Sequence, residues 1–90
     1  MKWNSLEGKF AMPTVLVKDG FRFFFYSREG NEPPHIHVIG KGGEMKIWLS
    51  SLDISKVYNL SPKEQRIVLE IVLTNVELFK KEWENFHGST

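Results

Sequence analysis

Glu32-Pro33-Pro34-His35-Ile36-His37-Val38 sets two histidines two residues apart, directly behind a stiff Pro-Pro segment. Proline has no N–H and a fixed φ, so the chain is held extended as it reaches His35. A strand over His35–Ile39 follows, then Gly40-Lys41-Gly42-Gly43 and a return strand over Glu44–Leu49. Closing the hairpin through the glycines pairs Val38 with Met45 and Ile36 with Ile47 on one face. On the other face it pairs His37 with Lys46 and His35 with Trp48. Aliphatic groups fall on one side, and imidazole, ammonium and indole on the opposite side. A slip of one residue would mix the two sets, so the pattern specifies the register.

Upstream, Thr14–Lys18 and Phe21–Tyr26 flank Asp19-Gly20, a strong hairpin signal because a tight two-residue turn needs positive φ. That turn sets Lys18 against Phe21, Val17 against Arg22, Leu16 against Phe23 and Val15 against Phe24. Leu16, Phe21, Phe23 and Phe25 then share one face, and Val15, Val17, Arg22, Phe24 and Tyr26 the other. Both faces are rich in apolar groups, so this ribbon is either central or covered on both sides. Ser27–Pro34 is a polar loop. Residues 1–11 precede the pattern and read as an N-terminal extension, either loose or laid over the sheet through Trp3, Leu6 and Phe10.

Downstream, Ser50–Asn59 lacks strict alternation and reads as a short strand or an irregular loop. Ser61-Pro62-Lys63-Glu64 is a capping box with proline at the first helical position. The spacing predicts a helix to about Phe86, stopped at Gly88. At about 100° per residue, Val68, Leu69, Ile71, Val72, Val76, Phe79, Trp83 and Phe86 form one stripe, with charged residues opposite and Leu73 as the exception. The stripe matches the sheet face of Leu16, Phe23, Phe25, Ile36, Val38, Met45 and Ile47. The expected fold is α+β: an antiparallel β-sheet built from two hairpins, with one long C-terminal helix packed on one face, as a single domain over residues 12–88.

Ninety residues suffice for one small core, and self-association or a partner is the expected support for a chain this short. The 12 Lys+Arg are nearly balanced by 11 Asp+Glu, unlike a non-specific nucleic-acid binder, whose affinity rests on many phosphate contacts. With no cysteine, disulfide scaffolds, thiol nucleophiles and Cys-based zinc sites are excluded. The longest apolar pattern is amphipathic and nothing resembles a signal peptide, so the expected setting is the cytoplasm, with no membrane contact.

His35-x-His37 projects two imidazoles from one side of a strand, the start of a divalent metal site that would need a third ligand. Glu44, Glu32 and His87 are the candidates, and Lys46 would oppose a cation. The preferred reading is plainer: two sheet-surface histidines, His35 stacked on Trp48, with no cofactor. No serine lies in a strained elbow, and the Gly40–Gly43 run lacks the length and following helix of a phosphate loop. His35 or His37 as general base, with Lys46 or Arg22 steadying a phosphorane, describes a small RNA-cleaving alternative. The helix-free face gathers Arg22, Phe24, Tyr26, His35, His37, Lys46 and Trp48. Such a surface suits a protein interface, where Trp, Tyr and Arg are favoured anchors. It also suits single-stranded nucleic acid.

The run PTVLVKDGFRFFFYSREGNEPPHIHVIGKGGEMKIWL, followed by a helix ending WENFHG, resembles the bacterial family known as "domain of unknown function 4160". The resemblance spans Pro13 to about Gly88, and its most specific pieces are FRFFFYS, EPPHIHV and Trp83-x-x-Phe86. The family has no established activity. Its signature corresponds here to Phe23, Phe24, Tyr26, Glu32, Pro33, Pro34, His35, His37 and Trp48. The resemblance implies a small cytoplasmic protein, often one half of a two-gene pair in a toxin–antitoxin layout. It also implies a usual start at Met12. The leading expectation is a non-enzymatic module that binds a small partner protein through Arg22, Tyr26, His35, His37, Lys46 and Trp48. The alternative is an RNA-binding or RNA-cleaving protein using His35 and His37, with or without a divalent metal.

Overall fold

The computed structural model describes residues 14–88; the expected extension over residues 1–11 lies outside them. Among the described residues five strands form one antiparallel meander, each hydrogen-bonded to the next in chain order: β1 (Thr14–Lys18), β2 (Phe21–Phe24), β3 (His35–Gly40), β4 (Gly43–Trp48) and β5 (Ile54–Tyr58). Two helices follow, α1 (Pro62–Thr74) and α2 (Val76–His87).

The hairpin turns follow from local chemistry. Asp19 and Gly20 have φ of 54° and 83°, and Lys41 and Gly42 have φ of 53° and 82°. Positive φ at both central residues gives the turn whose twist matches the flanking strands. The β3–β4 register has His35 opposite Trp48, Ile36 opposite Ile47, His37 opposite Lys46 and Val38 opposite Met45, as the side-chain sorting predicts. In β1–β2, Lys18, Val17 and Leu16 face Phe21, Arg22 and Phe23 as expected. Val15 does not face Phe24: the ladder shifts there, and Thr14 takes that place. Such an irregularity bends and twists a strand at the sheet edge, where only one side is paired. The ambiguous Ser50–Asn59 segment supplies β5, which completes the sheet along β4.

Phe21, Phe23, Phe25, Ile36, Val38, Met45 and Ile47 are buried against Val68, Ile71, Val72, Phe79 and Trp83 of the helices. The rings of Phe23 and Phe79 stack with centroids 5.7 Å apart. Each such side chain contributes about 1.5–3 kcal/mol of transfer free energy, so this layer dominates stability. Ser61 caps α1 in both directions: its hydroxyl accepts from Glu64 N–H at 3.1 Å, and its own N–H donates to the Glu64 carboxylate at 2.9 Å.

The one long helix is in fact two. Asn75 leaves helical geometry (φ −113°, ψ 18°), its N–H shared between the carbonyls of Ile71 and Val72 at 3.1 and 3.2 Å. Its side-chain amide also donates to Ile71 O at 2.8 Å. Asparagine side chains compete for backbone groups in this way, which is why they favour helix ends over helix interiors. The apolar stripe continues across the break, so Phe79 and Trp83 still face the core. Gly88, at φ 80°, ends α2. Among the described residues, no helix is long and apolar enough to cross a membrane.

Candidate functional site

The loop between β2 and β3 builds the site. Glu32 N–H donates to Glu29 O at 3.0 Å, closing a turn over Gly30 and Asn31. That turn sends the side chains of Glu29 and Glu32 back towards β3 and β4. Glu32 meets Lys46 Nζ at 2.8 Å. Glu29 meets both histidines: its Oε1 lies 2.7 Å from His35 Nε2 and 2.7 Å from His37 Nε2. Pro33 and Pro34 then deliver the chain into β3, and Leu49 N–H donates to Pro34 O at 3.0 Å to hold this end of the sheet.

His35 is not a surface histidine; its exposure is 0%. Its ring packs edge-on against Trp48 at 5.4 Å, as expected, and also lies 4.8 Å from Trp83 of α2. The first residue of β3 thus lies where the two faces of the sheet meet, closed in by the Glu29–Glu32 turn and by α2. His35 Nδ1 is 2.9 Å from the Pro33 carbonyl. A carbonyl and a carboxylate both accept, so each ring nitrogen faces an acceptor, and a neutral imidazole has one N–H to give.

His37 is partly open, with its side chain 15% exposed. It stacks on Phe24 at 5.6 Å and meets Tyr26 edge-on at 4.5 Å. Burial pulls its pKa below the ordinary value; Glu29 opposes that shift, while the charges of His35 and Lys46 add to it. Burial by itself would raise the Glu29 carboxyl, but hydrogen bonds and charge from His35 and His37 outweigh it, and the net direction is down. The Tyr26 hydroxyl is pushed up, by burial first and then by the charges of Glu44 and Glu29, so it stays a neutral donor.

The six residues expected from the sequence are brought into one run of contacts. The Arg22 guanidinium lies 4.8 Å above the Phe24 ring, Phe24 contacts Tyr26 and His37, and His37 contacts His35. His35 contacts Trp48, over which Lys46 Nζ lies at 4.7 Å. None of the proposed third ligands joins the histidines as a partner for a shared ion. Glu44 lies 3.7 Å from Lys56; Glu32 is engaged by Lys46 and reaches only the Nδ1 side of His35, at 3.8 Å, away from His37; and His87 Nε2 donates to Tyr26 O at 3.0 Å. The carboxylate that does join them is Glu29, which sequence reasoning passed over. The signal was there in Glu29-Gly30-Asn31-Glu32: a Gly-Asn turn brings the residues flanking it back on the strand that follows. Glu29, His35 and His37 offer one ligand atom each, all within 4.8 Å of one another.

Comparison with curated proteins finds no match, and comparison with solved structures finds none. The family profile described as "Domain of unknown function (DUF4160)" matches residues 20–84, most of the chain and all of the site from Arg22 to Trp83. The chain belongs to this family of domains of unknown function.

Proposed function

We propose that this domain is a non-enzymatic binding module, one component of a toxin–antitoxin-like pair, and that it works by contact with a small partner protein. The surface is the helix-free face carrying Arg22, Tyr26, His37, Lys46 and Trp48, with His35 beneath as its support. The observation that carries this reading is internal charge compensation. Lys46 is engaged by Glu32 at 2.8 Å, and Glu29 serves both histidines. A polyanion needs cations it can neutralise phosphates with, whereas this face presents half-buried aromatics among matched charges. The face also continues onto β5, where Lys56 lies beside Lys46, and Tyr58, 63% exposed, beside Glu44. A general base, in turn, needs a nitrogen open to substrate; both Nε2 atoms are occupied by Glu29, and His35 is enclosed.

The test is co-purification of the tag-free protein from its own host, followed by the same isolation with Trp48→Ala and Tyr58→Glu. A stoichiometric small protein, lost from both variants while their thermal transitions stay near the parent's, supports the reading. Bound RNA without protein, released by Tyr26→Ala, would replace it with the nucleic-acid reading. His35→Ala is unsuitable here because the ring is buried.

A further inference from the structure

We propose that Glu29, His35 and His37 form a binding site for one divalent first-row transition-metal ion, zinc by donor chemistry, independent of whether the partner reading holds. His35 lies between two acceptors. With an acceptor 2.9 Å from Nδ1 and another 2.7 Å from Nε2, the neutral ring satisfies only one contact and sets a lone pair against an oxygen at the other. Three things resolve this: a second proton on the ring, a proton on Glu29, or a cation between Nε2 and the carboxylate.

The surroundings favour the cation. A doubly protonated imidazole at 0% exposure loses its hydration, and the two carboxylates that face it, Glu29 at 2.7 Å from Nε2 and Glu32 at 3.8 Å from Nδ1, are already shared with His37 and Lys46. A protonated carboxyl has a single hydrogen to share between two nitrogens, both 2.7 Å from the same oxygen. A metal ion uses all three donors at once. It also gives meaning to the Nδ1 contact: metal-ligating histidines almost always donate the other ring N–H to a carbonyl or carboxylate, which fixes the tautomer and aims the lone pair. Pro33 O supplies that acceptor, from a residue whose φ is locked by its own ring.

The dimensions suit a coordination sphere. Ligand atoms about 2.1 Å from a tetrahedral zinc lie about 3.4 Å from each other, against three donor atoms held within 4.8 Å. The 2.7 Å contacts open to that spacing by a small turn of the Glu29 carboxylate, whose side chain is 24% exposed. Two imidazoles and one carboxylate, without thiolate, suit zinc or ferrous iron rather than the softer cuprous ion. Glu29 and His37 are the partly exposed members, so a fourth position opens on the helix-free face, available to water or to a partner's side chain.

The experiment titrates metal-stripped, tag-free protein with zinc chloride by calorimetry, with thermal melts recorded in parallel. The parent is expected to bind one equivalent and to melt at a higher temperature when loaded. Glu29→Gln and His37→Asn are expected to lose more affinity than the roughly 10- to 100-fold that removing a hydrogen-bond partner of a metal ligand costs. Glu44→Gln, outside the cluster, is expected to bind like the parent. His37→Asn replaces a partly exposed ring, so it keeps the test valid if Glu29→Gln folds poorly. Absence of binding by the folded parent, or binding unchanged in both ligand variants, overturns the site. Neither result bears on partner capture, which the Trp48 and Tyr58 variants read separately.

Discussion

His35 and Glu29, six residues apart in the chain, meet at 2.7 Å beneath a turn, with the imidazole wholly buried and the carboxylate partly open to solvent. The contact ties the β2–β3 loop to the first residue of β3. It also decides how the helix-free face is charged, because the same oxygen serves His37.

Removing that carboxylate leaves a buried nitrogen without its partner. Glu29→Ala is expected to lower unfolding stability by about 1–3 kcal/mol, the penalty of an unsatisfied buried polar group. Glu29→Gln, which retains a carbonyl acceptor, is expected to lose less. Glu44→Ala, whose ion pair with Lys56 is exposed, is expected to fall within about 1 kcal/mol of the parent. Urea denaturation of the three metal-free variants checks the ranking. Equal losses at Glu29 and Glu44 would contradict it.

Acid should weaken the metal-free protein in two steps. His37 titrates below its ordinary 6.5 in the folded state, so the unfolded chain binds that proton more readily. Its contribution is whole above 6.5 and is lost as pH falls through the depressed folded value. Glu29, held below its ordinary 4.5, adds a second loss of the same sign at lower pH. Denaturant midpoints measured on either side of these two windows give the slope. A midpoint that rises on acidification below 6.5 contradicts the assignment.

Phe79 carries the helix layer. Its ring is fully buried and stacks on Phe23, so Phe79→Ala removes a large apolar group from the centre of the core. A loss of about 3–5 kcal/mol is expected, a large share of the roughly 5–15 kcal/mol typical of a small domain. Leu73→Ala, on the exposed side of α1, is expected to change little. Circular dichroism melts of the pair separate the core side of the helix layer from its exposed side.

Much of this architecture was legible in the chain. Asp19-Gly20 specifies its turn because few residues tolerate positive φ, and the β3–β4 register follows from the separation of Ile36 and Val38 from His35 and His37. The capping box at Ser61 and Glu64 marks the start of α1 through bonds between residues three apart. What escaped depends on contacts distant in sequence or on competition within a helix. Asn75 interrupts an unbroken apolar stripe because its amide and backbone both turn to Ile71. The burial of His35 needs Trp83 from the far end of the chain. Glu29 joins both histidines only once the loop has closed, whereas Glu44 pairs with Lys56, and Glu32 pairs with Lys46 and nears only the Nδ1 side of His35. Alternation along a strand assigns faces; it does not say what a loop will lay over them.

Native mass spectrometry of the gently isolated, tag-free protein from its own host decides whether the helix-free face holds a protein partner. A stoichiometric complex with a second small protein is expected, reduced to the bare chain by Trp48→Ala or Tyr58→Glu. A bare chain from the parent protein at the same concentration, or a complex that survives both substitutions, would contradict it.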